Sequence, residues 1–170
     1  MRIRDEMPAD APAVEAVVRD AFAGVPYSDG SEPRIVDALR RAGASTLALV
    51  AVEGEGESEA VVGHVVFSPV TIDGRPSGWH GLGPLAVRPD RQRAGIGGAL
   101  VTEGLVRLRA LGSRGCVVLG DAGYYRRFGF RRDPRLTAPG LPAEHFMVLP
   151  FGEEVPDGAV AYHPGFFVGP

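Results

Sequence analysis

The stretch LGPLAVRPDRQRAGIGGALVTEGLVRLRAL, Leu82 to Leu111, decides the fold. A short apolar run ends at Val87, an arginine-rich bend follows, and a helix opens on Gly95-Ile96-Gly97-Gly98. Strand, glycine-rich turn and helix in that order gather unpaired backbone N–H groups and the positive end of a helix dipole at one place, which suits an anion such as phosphate. Gly95, Gly97 and Gly98 carry no side chain to obstruct a ligand, and Arg91 and Arg93 add positive charge beside them. Ile96, Leu100, Gly104, Leu108 and Leu111 recur at spacings of three or four, the signature of one buried helix face, while Glu103 and Arg107 form an i,i+4 pair on another. The string lacks the Gly-Lys-Ser/Thr ending of a P-loop and the spacing of a dinucleotide fingerprint. Its own pattern is Q-x-x-G-x-G, running from Gln92 through Arg93, Ala94, Gly95 and Ile96 to Gly97.

Outward from this core, the order of elements is that of an α/β protein. Arg2 to Arg4 reads as a short strand, and Asp10 as the cap of a helix striped with Val14, Val17, Val18, Ala21 and Phe22. The turn-rich GVPYSDG (24–30) breaks that helix, and Ser31 caps a second one carrying Ile35, Leu39 and Ala42. Strands are expected at Thr46–Val52 and Ala60–Ile72, and DGRPSG (73–78) as a turn into the strand that feeds the central motif. Beyond the central helix come the buried strand GCVVL (115–119), a short helix stopped at Gly129, an irregular loop over Pro134–Pro142, and closing strands at 146–149 and 159–162. One domain over residues 1–163 with a mixed sheet, followed by a tail at 164–170, accounts for the whole chain.

Composition narrows the function. A net charge of −3 with dispersed arginines argues against nucleic acid, and no run is long enough to span a membrane. The single cysteine, Cys116, excludes an intrachain disulfide and a cysteine-rich zinc site. No metal is expected, and without an apolar leader at the N-terminus the cytoplasm is the expected location. All 18 basic residues are arginine, so lysine chemistry is excluded.

Two motifs then agree. The Q-x-x-G-x-G string and the later Y-x-x-x-G-F, Tyr125 to Phe130, resemble the GNAT superfamily of acyl-CoA N-acyltransferases. The wording SPV (68–70), GLGPLAV (81–87), VVLGDAGYYRRFGF (117–130) and FMVL (146–149) is similar to its YhbS-like branch. The resemblance implies a central mixed, mostly antiparallel twisted sheet with helices on both faces and two central strands splayed to admit acetyl-CoA. It implies transfer of an acetyl group from acetyl-CoA to the amine of a small molecule or peptide, by direct attack in a ternary complex, in a monomer or homodimer. The alternative is an acyl-CoA-binding sensor or scaffold without catalysis.

By the same resemblance, backbone groups of Leu85, Ala86 and Val87 pair with the pantetheine arm, and Gln92, Arg93, Ala94, Gly95, Ile96, Gly97 and Gly98 wrap the pyrophosphate. An oxyanion donor is expected from a backbone N–H near Ala86. Tyr125 takes the role of proton donor to the leaving thiolate, since a phenol of pKa about 10 stays protonated at neutral pH. Relatives often carry a Glu or His base eleven or nine residues before the motif's glutamine, but those positions are Gly81 and Gly83 here. Strand alternation points the adjacent His80 the other way, and His64, among valines, reads as a core histidine. Glu32 lies in the segment that borders the acceptor pocket and is the acidic catalytic candidate. The asparagine that many relatives carry ahead of the tyrosine is missing from residues 119–123, and Asp121 reads as the cap of the short helix.

Overall fold

The computed structural model describes residues 1–152 and 154–170. Strand β1 (Arg2–Asp5) precedes helices α1 (Ala11–Phe22) and α2 (Glu32–Arg41), followed by strands β2 (Leu47–Glu53), β3 (Ala60–Ile72) and β4 (Arg75–Val87). Helix α3 (Ile96–Ala110) leads to β5 (Gly115–Leu119) and the short helix α4 (Ala122–Tyr125). Strands β6 (Leu136–Thr137), β7 (Phe146–Pro150) and β8 (Gly158–Ala161) close the chain. The sheet runs β1-β2-β3-β4-β5-β7, with β8 paired to the far end of β3 and to β6. All neighbours are antiparallel except β4–β5 and β6–β8.

Each helix sits where its apolar stripe meets the sheet. Ile96, Leu100, Val101, Leu105 and Leu108 of α3 cover one face, packing on Leu49, Val65, Phe67 and Leu82. Gly104 is required there, because a Cβ would lie 2.4 Å from the Phe67 ring. Leu111, expected on that face, is instead 62% exposed, because it lies beyond the end of α3, past the last turn of the helix. On the other face, Val14, Val17 and Val18 of α1 join Ile35, Val36 and Leu39 of α2 over Val50, Val52, Val66 and Ala86.

The polar details differ from the sequence reading in several places. Asp10 precedes α1 but makes no cap bond. Its carboxylate accepts from Arg4 Nη1 (2.7 Å) and from the Met7 N–H (2.7 Å), and Arg4 holds its pKa below the usual range. Ser31 likewise makes no side-chain cap. The turn at 73–78 shrinks to Asp73-Gly74, and β4 starts at Arg75. The irregular 134–142 loop contains β6, paired with β8. Residues 164–167 form a 3-10 turn with Gly165 buried, Gly165 faces Leu39 and Ala38 of α2, and Phe166 packs on Tyr162. His64 is wholly buried with Nε2 2.8 Å from Glu6 Oε2. Burial opposes the Glu6 charge, but hydrogen bonds from His64 and Arg40 outweigh it and hold the carboxyl below the usual range.

Candidate active site

Strands β4 and β5 pair in parallel only from Trp79↔Gly115 to Leu82↔Val118. Beyond Leu82 they part, and β4 continues to Val87 against β3 alone. The parting coincides with a bulge: between Leu82↔Phe67 and Leu85↔Val65, β4 has one residue more than β3. Arg88 N–H donates to Val62 O (2.8 Å), which sets the phase of the ladder. Alternation then turns the Ala86 polar groups toward β3 and those of Leu85 and Val87 toward the open side. The N–H groups of β4 that face the opening are therefore those of Leu85 and Val87, on either side of Ala86, whose side chain is buried under α1 and α2.

The mouth of this opening is the start of α3. Gly95 caps it in the left-handed region, at φ +83°, and no side chain caps the helix. The first N–H groups of α3 therefore have no partner within the helix. A Cβ at Gly97 would lie 3.1 Å from Tyr124 Oη, 3.6 Å from Val87 Cγ2 and 3.9 Å from Leu85 Cδ2, so Gly97 faces the opening. Gln92 donates through its side chain to Val87 O (3.1 Å), pinning the loop to the strand end, and its own N–H turns back toward Pro89 O (3.5 Å). Of the two arginines expected to add charge, Arg91 is paired with Glu53 (2.8 Å), whereas Arg93 makes no ion pair among the described residues.

The opposite wall is Gly120 and α4. Asp121 caps α4, accepting from the Gly123 N–H at 2.6 Å. Tyr125 packs against Gly120, where a Cβ would be 2.5 Å from its ring, and lies edge-on to Phe130 at 5.8 Å between centroids. Burial, then like charge from Tyr124, Tyr27 and Cys116, pushes its hydroxyl well above the ordinary phenol range. It remains a protonated donor throughout the physiological range. Tyr124 carries the Arg127 guanidinium over its ring at 4.6 Å.

Gly81 and Gly83 fare differently. A Cβ at Gly81 would lie 2.6 Å from Tyr162 Cε1, so a tyrosine from after β8 fills the space of the missing side chain. Gly83 has nothing within 4 Å of its Cβ position. His80 projects to the α3 side, its Nδ1 2.7 Å from Ser113 Oγ, and burial lowers its pKa. The bulge lies past it and leaves its facing unchanged. Glu32 shares the inward face of α2 with Ile35, Val36 and Leu39. One of its oxygens accepts from Ser28 Oγ (2.6 Å), and the other is buried without a partner. Cys116 is fully buried and its thiol is pushed up, consistent with packing.

Sequence reasoning missed Tyr27, Tyr124 and Tyr162. The tyrosine doublet at 124–125 was a visible signal for the second. Tyr162 could be found only through the empty Gly81, a pairing between distant parts of the chain. Among the described residues no group of three or more metal-ligating side chains converges, and no helix is long and apolar enough to cross a membrane.

Comparison with known proteins bears on this site. The model of the acetyltransferase (GNAT) domain matches residues 44–132, which include β2 to α4. The chain is 38% identical over 173 aligned positions to the uncharacterized N-acetyltransferase YhbS of Escherichia coli, covering 98% of each. It is similar to the crystal structure of a GNAT family acetyltransferase from Brucella melitensis in complex with acetyl-CoA, with 50% identity, 97% of each chain covered and a TM-score of 0.85. The E. coli YhbS structure in complex with CoA superposes with a TM-score of 0.85 at 38% identity, covering 98% of this chain and 91% of that one.

Proposed function

The chain belongs to the GNAT acetyltransferase family, and on that premise we propose that it moves the acetyl group of acetyl-CoA onto a primary amine by direct attack, within a ternary complex. The observation that carries this reading is the opening between β4 and β5, with an uncapped helix at its mouth and the half-buried Tyr125 at its wall. The residues fit the co-substrate. The C=O of Leu85 and the N–H of Val87, turned to the open side, can add a strand-like partner, as a pantetheine amide requires. The free N–H groups of Ile96, Gly97 and Gly98, with those of Arg93 to Gly95 in the loop, suit a pyrophosphate, and Arg93 adds its charge. Bound there, acetyl-CoA supplies an activated thioester.

The remaining work falls to the chain. The N–H of Leu85, the first on β4 past the bulge to face the opening, donates to the thioester oxygen as negative charge develops there. Tyr125 gives its proton to the departing sulfur, which as a thiolate of pKa about 8.5 leaves more readily when protonated. Glu32 acts on the acceptor side, where it meets the incoming amine-bearing molecule. No side chain at 81 or 83 is present to take the amine proton, so the neutral fraction of the amine, with a pKa of about 10.4, sets the supply of nucleophile, and the proton that the nitrogen sheds as the amide forms passes to water, from which Tyr125 is reprotonated.

The test is release of free thiol from acetyl-CoA across a panel of amines, peptides and aminoglycosides, with Tyr125→Phe alongside. Amine-dependent release that falls by about a hundredfold in the variant is expected. Tight acetyl-CoA binding with no release for any amine would overturn the transfer reading.

A further inference from the structure

Arg127 is exposed, fixed in place, and pairs with no carboxylate among the described residues. It lies in the 3-10 turn Arg126–Phe128 that follows α4. Its guanidinium rests on the Tyr124 ring, with Cζ 4.6 Å from the centroid, and its Nε donates to Tyr124 O at 3.0 Å. Both contacts come from one residue, and they leave the Nη1 and Nη2 donors without a partner among the described residues. The one carboxylate side chain between residues 104 and 132, that of Asp121, is committed to the Gly123 N–H at 2.6 Å. Holding an exposed arginine still costs entropy that a solvated one keeps, so a braced fork with free donors suits an anion such as phosphate.

Short distances tie this fork to the start of α3. Tyr124 Oη lies 3.1 Å from the Cβ position of Gly97, and Phe128 Cζ lies 3.9 Å from that of Gly98. Tyr124 and Phe128 also meet edge to face, at 5.4 Å between centroids, so the turn that carries Arg127 is packed against the first turn of α3. Arg127 is thus set off from the proposed pyrophosphate seat by the breadth of one tyrosine ring. The pyrophosphate has its own donors there, the free N–H groups of the loop and helix start together with Arg93. The remaining anion of CoA is its 3′-phosphate, carried by the same ribose whose 5′ oxygen bears the pyrophosphate. We propose that Arg127, braced on Tyr124, binds the ribose 3′-phosphate of CoA and makes the chain select CoA over its 3′-dephospho form. Arg127 is a binding residue with no part in bond making, and Tyr124 positions it. This assignment rests on the seating of the pyrophosphate at the start of α3.

Acetyl-CoA and 3′-dephospho-acetyl-CoA are titrated calorimetrically into the protein and its variants. The unaltered chain should bind acetyl-CoA at least about tenfold more tightly at low salt, and the ratio should shrink as salt rises, because the fork is exposed. Arg127→Gln should bring the ratio to near one by weakening acetyl-CoA alone. Its unchanged affinity for the dephospho ligand then reports an intact fold and phosphate loop. Arg127→Lys keeps the charge but loses the fork and the planar stacking, so a ratio of about threefold should remain. Tyr124→Leu removes the brace and should lower the ratio with Arg127 still present, whereas Tyr124→Phe keeps the ring and should preserve it. Arg93→Gln should weaken both ligands alike. Equal binding of the two ligands by the unaltered chain would overturn the proposal. So would an Arg127→Gln loss shared equally by both, which would put the pyrophosphate or the adenine on Arg127, or a ratio that collapses with Arg93→Gln instead. Binding of neither ligand would overturn the acyl-CoA seat and this assignment with it, whereas tight but unselective binding sinks this assignment alone.

Discussion

Tyr125 is held by three aromatic neighbours and by the absence of a side chain at Gly120, so its ring has little freedom. Desolvation disfavours the phenolate, and that is the useful sign for a proton donor. Tyr125→Phe removes one oxygen and keeps the ring packing, so acetyl-CoA affinity should hold within about threefold while kcat falls by about a hundredfold. The pH profile gives an independent check. The raised pKa keeps the donor protonated where an ordinary phenol, at about 10, would begin to lose its proton. The kcat/KM of an alkyl amine should therefore climb with deprotonation of the amine up to about pH 10 with no descending limb there. A bell closing near pH 10 would mean that an unshielded tyrosine, not this one, gives the proton. At Gly104 the argument is steric. Gly104→Ala puts a methyl 2.4 Å from the Phe67 ring, and the overpacking should destabilise the fold by about 1–3 kcal/mol, read as a lower denaturant midpoint with unchanged slope.

At the scale of elements, the start of α3 is where local sequence and function coincide. The glycines at 95, 97 and 98, and the strand ending at Val87, were legible because each depends only on neighbours in the chain. Gly97→Glu places bulk and negative charge against Tyr124 Oη and the free N–H groups, so it should weaken acetyl-CoA binding by at least about a hundredfold. Unaltered affinity, measured by calorimetry, would remove the pyrophosphate from this loop. What the sequence hid was set by tertiary partners. Asp10 has the chemistry of a cap, yet Arg4 lies across from it on β1 and takes the carboxylate. Residues 75–78 carry Pro and Gly, the usual marks of a turn, but β3 continues opposite them and holds Arg75 and Pro76 in the ladder. The phase of β4 past Leu82 depends on a bulge that no period reveals, and this phase turns the N–H groups of Leu85 and Val87 to the open side. Glu32 reads as an ordinary first-turn glutamate until the helix is docked, when its stripe proves to be the buried one.

For the whole molecule, the opening divides the sheet into two parts. Strands β1 to β4 form one ladder and β5 with β7 another, joined through the register pairs between Trp79 and Leu82 and through α3. A ligand seated between them acts as the strand that is missing beyond Leu82, touching β4, the start of α3 and α4 together. Binding to the folded state alone stabilises it by about 2.7 kcal/mol when the ligand is present at about a hundred times its Kd. In a chain of 170 residues that corresponds to a rise in Tm of about 5–10 °C. A fragment that carries the phosphates but no pantetheine arm, such as 3′,5′-ADP, can reach the helix start but cannot bridge the strands. At equal saturation relative to its own Kd, mass action gives it the same rise, so the useful quantity is the ligand concentration needed to reach it. Acetyl-CoA should reach it at a concentration lower by about tenfold or more, the share contributed by the arm between β4 and β5. Thermal melts with each ligand over a concentration series provide the measurement. If the fragment matched acetyl-CoA at every concentration, the phosphate loop alone would account for binding, and the open edge at Leu85 and Val87 would have no part in it.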